Sequence, residues 1–480
     1  MFNLMQREHR QYTYEEAVQA LQDMPHFKPP VEAKSENLGK KPEPKKDFFS
    51  LDAERQLLQK LGNPEQRLQY IHVAGTNGKG STCAYLTSIL CESTYKVGSF
   101  TSPFLYTYNE MFVVEGEKIS DEKFAEVFSF VWEQVENCRV EGFYPSEYEI
   151  LTSMAFVYFL WEKCDMVVLE VSLGGRMDTT NVIPAPMVTV IAPISYDHMG
   201  ILGNTLTEIA TEKAGIIKTG TIVVSAPQEA EVEAVLQKTC DEKQVPLMYA
   251  PEPELIGRSL DGQKFRVPSE LNSIDENQNA VFRTSLLGTY QIQNAALAIT
   301  AIYSLVSRKK GNPIQAKIIE ADESAKTTGI TVDQIQAGIQ NTTWFGRFTM
   351  VHKAPYILVD GGHNRQGAQV LRESLETYFP GQKITFFMGI LKDKEVDVIL
   401  DTLMPIAKKA YTLTVPNARS MPAKELAEKI INRHVPAEEM LPAKTEKQGI
   451  LNVILDRACP DDVLCICGSL YLIEEIPFPK

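Results

Sequence analysis

Gly75-Thr76-Asn77-Gly78-Lys79-Gly80-Ser81-Thr82 stands between a short apolar run, Tyr70–Ala74, and an apolar-periodic stretch, Ser81–Glu92. The first reads as a strand and the second as a helix. A glycine-rich turn lets backbone N–H groups face an anion, and the N-terminus of the following helix adds positive potential. Thr76, Asn77, Gly78 and Gly80 form the turn, and Lys79 supplies a point charge for β- and γ-phosphates. Ser81 or Thr82 offers a hydroxyl to a phosphate or to Mg²⁺. The spacing is G-x-x-G-K-G-S rather than G-x-x-x-x-G-K-[ST], and Val73 stands where that pattern wants glycine. An ordinary glycine-rich turn is the competing reading. The unbroken order of strand, turn, lysine, hydroxyl and helix favours a nucleotide.

The α/β pattern continues outward from this point. Met166–Val171 and Met187–Ile194 are near-continuous apolar runs, as strands of a parallel sheet covered on both faces should be. Leu206–Lys218 and Gln291–Ser307 read as helices, and 251–290 as a small antiparallel β subregion. Upstream, 12–24 and Leu51–Leu61 read as helices flanking a Pro-, Lys- and Glu-rich loop at 28–46, too polar to bury a core. After Trp344-Phe345-Gly346-Arg347 a second alternation begins. Tyr356–Asp360, Ile384–Met388, Ala410–Val415 and Val463–Cys467 read as strands, and Gln366–Tyr378 and Val396–Lys408 as helices. The 480 residues suit two or three domains. The expected division is an ATP-binding domain over 1–345 and a smaller, doubly wound, Rossmann-like domain over 346–480. The stretch Arg308–Thr331 reads as an insertion.

Lys plus Arg number 48 and Asp plus Glu 62, a net charge of −14, which argues against nucleic acid or an anionic membrane as partner. The first residues, MFNLMQREHRQYTYEEA, hold no apolar run of signal-peptide length, and no stretch approaches a membrane span. The eight cysteines are scattered. Cys465 and Cys467, read as outward and inward positions of one strand, suit neither a disulfide nor a zinc knuckle. The expectation is free thiols in a reducing cytoplasm, and nothing demands more than a monomer.

Ten ordered segments resemble the folylpolyglutamate synthase/dihydrofolate synthase family of the Mur ligase superfamily. They are GTNGKGST (75–82), TSPF (101–104), EVSLGGRMDTTNV (170–182), DH and LG-T (197–205), EKAGIIK (212–218), QIQNAALA (291–298), FGR (345–347), DGGHN (360–364), GILKDK (389–394) and CGSLYL (467–472). The resemblance implies a P-loop-containing central domain with a mostly parallel sheet and a Rossmann-like C-terminal domain. It implies ATP-dependent ligation of L-glutamate to a folate or pteroate carboxyl through an acyl phosphate. ATP and Mg²⁺ are the implied cofactors, and a monovalent cation is left open.

Candidate site residues follow. A hard cation wants oxygen ligands and an occasional imidazole. Ser102, Glu170 at a strand end and His198 after another strand could converge above the sheet, where open α/β sheets bind ligands. By resemblance these three hold Mg²⁺. Lys213 is similar to a family lysine that is carbamylated; an unmodified surface lysine paired with Glu212 or Glu208 is the alternative. By resemblance, Glu149, Arg176 and Asp178, with Thr180 and Asn181, lie by the folate, Gly174 and Gly175 allowing close backbone approach. Asn294 resembles an ATP contact. Arg347 can clamp phosphate oxygens, and Asp360 could accept ribose hydroxyls. His363, Asn364 and Lys392 face nucleotide or glutamate, whereas Lys392 and Lys394 suit a solvated loop equally well. Met111 stands where the family often has arginine, and Ser172 and Gly362 replace its usual glycine and alanine. Two other functions compete. A muramyl-peptide ligase would want a UDP-binding domain ahead of the P-loop, where only about 70 residues stand. A non-catalytic ATP-binding regulator would not need Glu170, His198, Lys213, Arg347 and Asp360 together.

Overall fold

The computed structural model describes residues 10–24, 50–268, 280–307, 330–439 and 458–474. The 28–46 loop and all but the last residues of the 308–331 insertion lie outside them.

Among the described residues, three sheets organise the chain. The first contains β1 (Tyr70–Ala74), β2 (Val97–Phe100), β3 (Phe112–Val114), β4 (Glu117–Lys118), β5 (Met166–Glu170), β6 (Val188–Ile191), β7 (Ile222–Ser225) and β8 (Leu247–Tyr249), in the order β4-β3-β2-β5-β1-β6-β7-β8. β5, β1, β6 and β7 are fully buried apolar runs paired in parallel, and β3 and β4 add an antiparallel edge. The second sheet is a three-stranded antiparallel unit of β9 (Glu254–Ser259), β10 (Gly262–Arg266) and β11 (Val281–Thr284). It falls where short alternating runs were expected. The third sheet contains β12 (Thr349–Lys353), β13 (Tyr356–Asp360), β14 (Ile384–Met388), β15 (Ala407–Thr412), β16 (Ala437–Glu439) and β17 (Val463–Cys467), ordered β12-β13-β17-β14-β15-β16. All its pairs are parallel except β12 with β13.

The helices are α1 (Tyr14–Gln22), α2 (Asp52–Lys60), α3 (Lys79–Cys91), α4 (Asp121–Val140), α5 (Glu147–Trp161), α6 (Met199–Leu202), α7 (Leu206–Ala214), α8 (Ala230–Lys243), α9 (Gln291–Ser307), α10 (Val332–Asn341), α11 (Arg365–Tyr378), α12 (Val396–Leu403), α13 (Ala423–Ile431) and α14 (Leu470–Glu474). α3, α9 and α10 bury Leu86, Ile89, Leu297, Ile302, Ile335 and Ile339 against one face of the first sheet. α1, α2, α4 and α5 bury Leu21, Leu57, Phe128, Met154 and Phe156 against the other. α5 is buried along almost all of its length, so it has no polar stripe to betray its period.

Three expectations need correction. The helix expected over 396–408 stops at Leu403, because Pro405 cannot donate to a continuing helix; a 3₁₀ turn leads into β15, which starts at Ala407. The helix expected over 206–218 ends at Ala214. Cys465 and Cys467 do not face opposite sides: both are buried in one core cluster of the third sheet, because residues two apart on a strand share a face.

α3 and α10 cross at Gly338, where an added Cβ would stand 2.4 Å from the Cα of Ile89 and 2.7 Å from its nitrogen. Both obstacles are backbone, so relief requires moving a helix. Gly338→Ala is expected to destabilise the protein by about 1–3 kcal/mol. Thermal unfolding checks this, and an unchanged midpoint would contradict the crossing.

Candidate active site

Register sets the site. Val73 lies beside Glu170, and Ala74 beside Ile191, so β1, β5 and β6 all end at one level. β1 is also where the chain reverses direction across the sheet, with β5 and β2 on one side and β6 on the other. Such a switch point opens a crevice at the strand ends.

The glycine-rich loop leaves β1 into this crevice. The N–H groups of Thr76 and Asn77 do not face outward, because both donate to the Pro193 carbonyl, at 2.8 and 3.2 Å. The Thr76 hydroxyl exchanges hydrogen bonds with the backbone of Ser195. These two residues therefore anchor the loop. Gly78 takes φ +84° at the N-cap of α3, and its carbonyl receives the Thr82 N–H at 2.9 Å. The N–H groups of Gly78, Lys79, Gly80 and Ser81 are the four a helix start leaves without intrahelical acceptors. Lys79 folds back with Nζ 3.3 Å from the Thr76 carbonyl. The buried Ser81 hydroxyl receives Gln291 Nε2 at 3.3 Å, and Asn294 packs its amide against Gly78.

Glu170 is buried at the end of β5 and accepts the Ser102 N–H at 3.3 Å. Burial pushes its carboxyl up to about 7; the charges of Lys79 and Arg347 and the Ser102 N–H pull the other way. A buried carboxylate so poorly compensated, beside a hydroxyl, suits a hard cation. His198 sits in left-handed backbone at φ 50°, a costly conformation for a residue other than glycine, and its Nε2 lies 3.8 Å from Asp197. Among the described residues no three His, Cys, Asp or Glu side chains form a metal-holding group. Of the expected trio, Ser102 and Glu170 touch, while His198 turns toward Asp197.

Lys213 is not a surface lysine. It is buried in α7, and its Nζ donates to the Gly75 carbonyl at 2.7 Å. The two expected surface partners are engaged elsewhere: Glu212 pairs with Arg176 at 2.7 Å, and Glu208 caps the start of α7. Burial, with Lys79 close by, lowers the Lys213 amine to about 7.

The third sheet presents its strand ends to the same crevice. Lys394 Nζ reaches Asp197 at 2.8 Å, with both side chains nearly buried, and Asn364 Nδ2 approaches the same carboxylate at 3.3 Å. His363 Nε2 lies 3.9 Å from it. Burial opposes ionisation of Asp197, but His198, His363 and Lys394 hold its carboxyl well below the usual range. Asn77 and Asn364 exchange side-chain hydrogen bonds at 3.3 and 3.1 Å. Asn364 also caps α11 by accepting the Gly367 N–H.

Residues 73–302 match the Mur ligase middle domain, and 346–470 match the Mur ligase glutamate ligase domain. A dihydrofolate synthase/folylpolyglutamate synthase of Bacillus subtilis is 34% identical over 429 residues, covering 88% of this chain and 93% of that protein. The chain belongs to the dihydrofolate synthase/folylpolyglutamate synthase family of Mur ligases. A solved folylpolyglutamate synthase of Mycobacterium tuberculosis, complexed with ADP and AMPPCP, is 26% identical with a TM-score of 0.74, over 89% of this chain and 94% of that one. A structure described as an FPGS–AMPPCP–folate complex is 29% identical with a TM-score of 0.73, over 96% and 98%.

Several residues expected at the ligands also brace the fold internally. Asp178 is buried and accepts the N–H groups of Ser172, Leu173 and Thr180 and the Thr180 hydroxyl. It folds the loop after β5 instead of facing outward. Asn181 donates to the Arg176 and Gly215 carbonyls. Gly175 gives close approach to α7: an added Cβ would meet the Glu212 and Lys213 carbonyl oxygens at 2.8 and 2.9 Å. Arg176 is exposed on its pair with Glu212. Glu149 accepts the Ser146 N–H at 2.7 Å in the capping box of α5. Asp360 is buried and accepts from Phe348 N, Gly362 N and Tyr290 Oη, which braces the loop carrying Arg347. Met111 is buried in the core, so no side chain reaches the cleft from that position. Lys392 is exposed, whereas Lys394 enters the crevice. Asp197, which the sequence marks only as the neighbour of His198 at a strand end, takes a central place of its own.

Asp197→Asn and Lys394→Met are each expected to lower kcat/KM by about ten- to a hundredfold, the worth of a charge-assisted hydrogen bond. The double variant should be little worse than either single one. Steady-state kinetics on the cycle checks this, and additive losses would contradict the pairing.

Proposed function

We propose that the protein uses ATP to join the amine of L-glutamate to a carboxyl of a folate, with ADP and phosphate as products. The observation that carries this reading is the convergence of a phosphate-type loop with groups from a second sheet, His363, Asn364 and Lys394, across Asn77 and Asp197. One half supplies a place for the triphosphate. The other brings a second set of polar and cationic groups against it.

A folate carboxylate is a poor electrophile. One of its oxygens attacks the γ-phosphorus, the bond to the β-phosphate oxygen breaks, and ADP leaves with an acyl phosphate formed. The neutral glutamate amine then attacks the acyl carbon, loses a proton, and the phosphate departs with the amide made. The work for the protein is positioning and charge neutralisation. The N–H groups of Gly78 to Ser81 face the phosphates, Lys79 swings from the Thr76 carbonyl to the transferring group, and Asn294 holds the loop's shape. Arg347 clamps phosphate oxygens, held by the Asp360-braced loop. His363, which burial and Lys394 lower to about 4, stays neutral and can accept or donate one hydrogen bond. Ser102, Glu170 and His198 would hold Mg²⁺, which supplies positive charge against the triphosphate. Because the substrates meet between two sheets, closure of the cleft excludes water from the acyl phosphate.

Lys213 is suited to carbamylation. The ammonium first gives up a proton; the neutral amine then attacks CO₂, a N–C bond forms, a second proton is released, and an anion stands beside Lys79. The neutral fraction rises as pH rises through about 7. Protein stripped of CO₂ should therefore regain activity faster at about pH 8 than at about pH 6 when the dissolved CO₂ supplied by bicarbonate is held equal. Recovery that is independent of bicarbonate, or an unchanged intact mass at Lys213, would contradict the modification.

The direct test offers tetrahydrofolate and dihydropteroate separately with labelled glutamate and ATP. Label should enter tetrahydrofolate only when ATP is present; no incorporation into either acceptor would overturn the reading. The dihydropteroate arm decides whether the first glutamate is also added, as the name of the Bacillus subtilis relative prompts asking. Lys79→Ala should reduce turnover by about a hundredfold or more while leaving unfolding unchanged. Glu170→Gln should shift the Mg²⁺ titration to higher concentration. Near-normal values in either variant would remove that residue from the site.

A further inference from the structure

We propose that Tyr148 is a positioning residue that fixes the hydroxyl of Ser102 for the metal; the proposal rests on the reading of Ser102 as a metal ligand. Tyr148 lies in the first turn of α5, whose start is locked by the reciprocal bonds of Ser146 and Glu149. Its ring is buried against Phe100 of β2, with centroids 6.0 Å apart. Its phenol oxygen emerges where the loop after β2 meets the loop after β5. There it donates to Ser102 Oγ at 3.1 Å. The hydroxyl of Ser172 lies against the same phenol oxygen. Ser172 is itself held, its N–H donating to Asp178 at 3.0 Å.

Ser102 is thus tied twice: its N–H to Glu170 and its hydroxyl oxygen to Tyr148. A serine hydroxyl has one proton and two lone pairs, and it rotates freely unless something selects an orientation. A phenol that donates into one lone pair leaves the other available to a cation and stops the side chain from turning away. Partners that orient a ligand in this manner commonly alter metal affinity when removed. Glu149 acquires a role through this geometry. Its capping bond starts the helix that delivers Tyr148 to Ser102.

The experiment uses Mn²⁺ as an EPR-visible probe, titrated into the full chain with a non-hydrolysable ATP analogue. Wild type, Tyr148→Phe, Ser102→Ala and the double variant are compared. Phenylalanine keeps the ring and its packing, so the unfolding midpoint and the affinity for the nucleotide without metal should hold. Tyr148→Phe should weaken Mn²⁺ binding by about three- to tenfold, and Ser102→Ala by at least as much. The double variant should match Ser102→Ala, because the tyrosine acts only through the serine. If Tyr148→Phe binds Mn²⁺ like wild type while Ser102→Ala is weakened, the positioning role is wrong and the ligand stands. Additive losses would likewise overturn the proposal. If Ser102→Ala binds normally, the serine is no ligand and the proposal falls with it.

Discussion

Parallel pairing of β1 with β5 and β6 is the constraint on which the site depends. It ends three strands at one level, and the chain can leave them only through loops on the same side of the sheet. The phosphate-type loop, Glu170 and the Asp197–His198 turn follow at once from those three ends. The third sheet repeats the arrangement: β13 is followed by His363 and Asn364, and β14 by Lys394. Two open edges face one another, and Asn77 and Asp197 take the bonds that join them.

Gathering these groups under cover has a cost that the ligand-free protein bears. Glu170 is raised to about 7 and Lys213 is lowered to about 7, each mainly by burial. Displacements of those sizes correspond to roughly 3 kcal/mol for Glu170 and roughly 5 kcal/mol for Lys213. The two charges are not a pair, since Lys213 reaches the Gly75 carbonyl and Glu170 the Ser102 N–H. On the proposed function, ligands would restore the balance: a dication against Glu170, a carbamate in place of the Lys213 amine, and a triphosphate against Lys79 and Arg347. The cleft is therefore matched to its charged reactants rather than to its own interior, which is how a site can favour charge that develops during reaction.

What the sequence disclosed, and what it hid, divides along physical lines. β1, the glycine-rich loop and α3 were legible because strand, turn, lysine and hydroxyl are local and ordered. The ends of β5, β13, β14 and β17 were legible because buried parallel strands are continuous apolar runs. The all-round burial of α5 was not, because polar residues in its first turn suit an amphipathic helix equally well. The depth of Asp178 and Asp360 was hidden too. A carboxylate satisfied by backbone N–H groups looks in sequence like one awaiting a ligand, and only the folded loop shows that its lone pairs are taken. Choosing between Lys392 and Lys394 was beyond the sequence, since both sit in one polar loop and tertiary packing alone sends the second to Asp197. Lys213 gave the opposite lesson. Its neighbours Glu208 and Glu212 left a solvated pair open as the alternative, yet one caps its helix and the other holds Arg176.

The central claim is that the facing edges energise a folate carboxyl by phosphoryl transfer before the amine arrives. It is tested most directly by following oxygen. Folate labelled with ¹⁸O in its terminal carboxylate is incubated with the protein, ATP and glutamate, and the released phosphate is analysed by mass. The account predicts one ¹⁸O atom in the phosphate for each amide bond formed. Amide formation with phosphate free of ¹⁸O would contradict it.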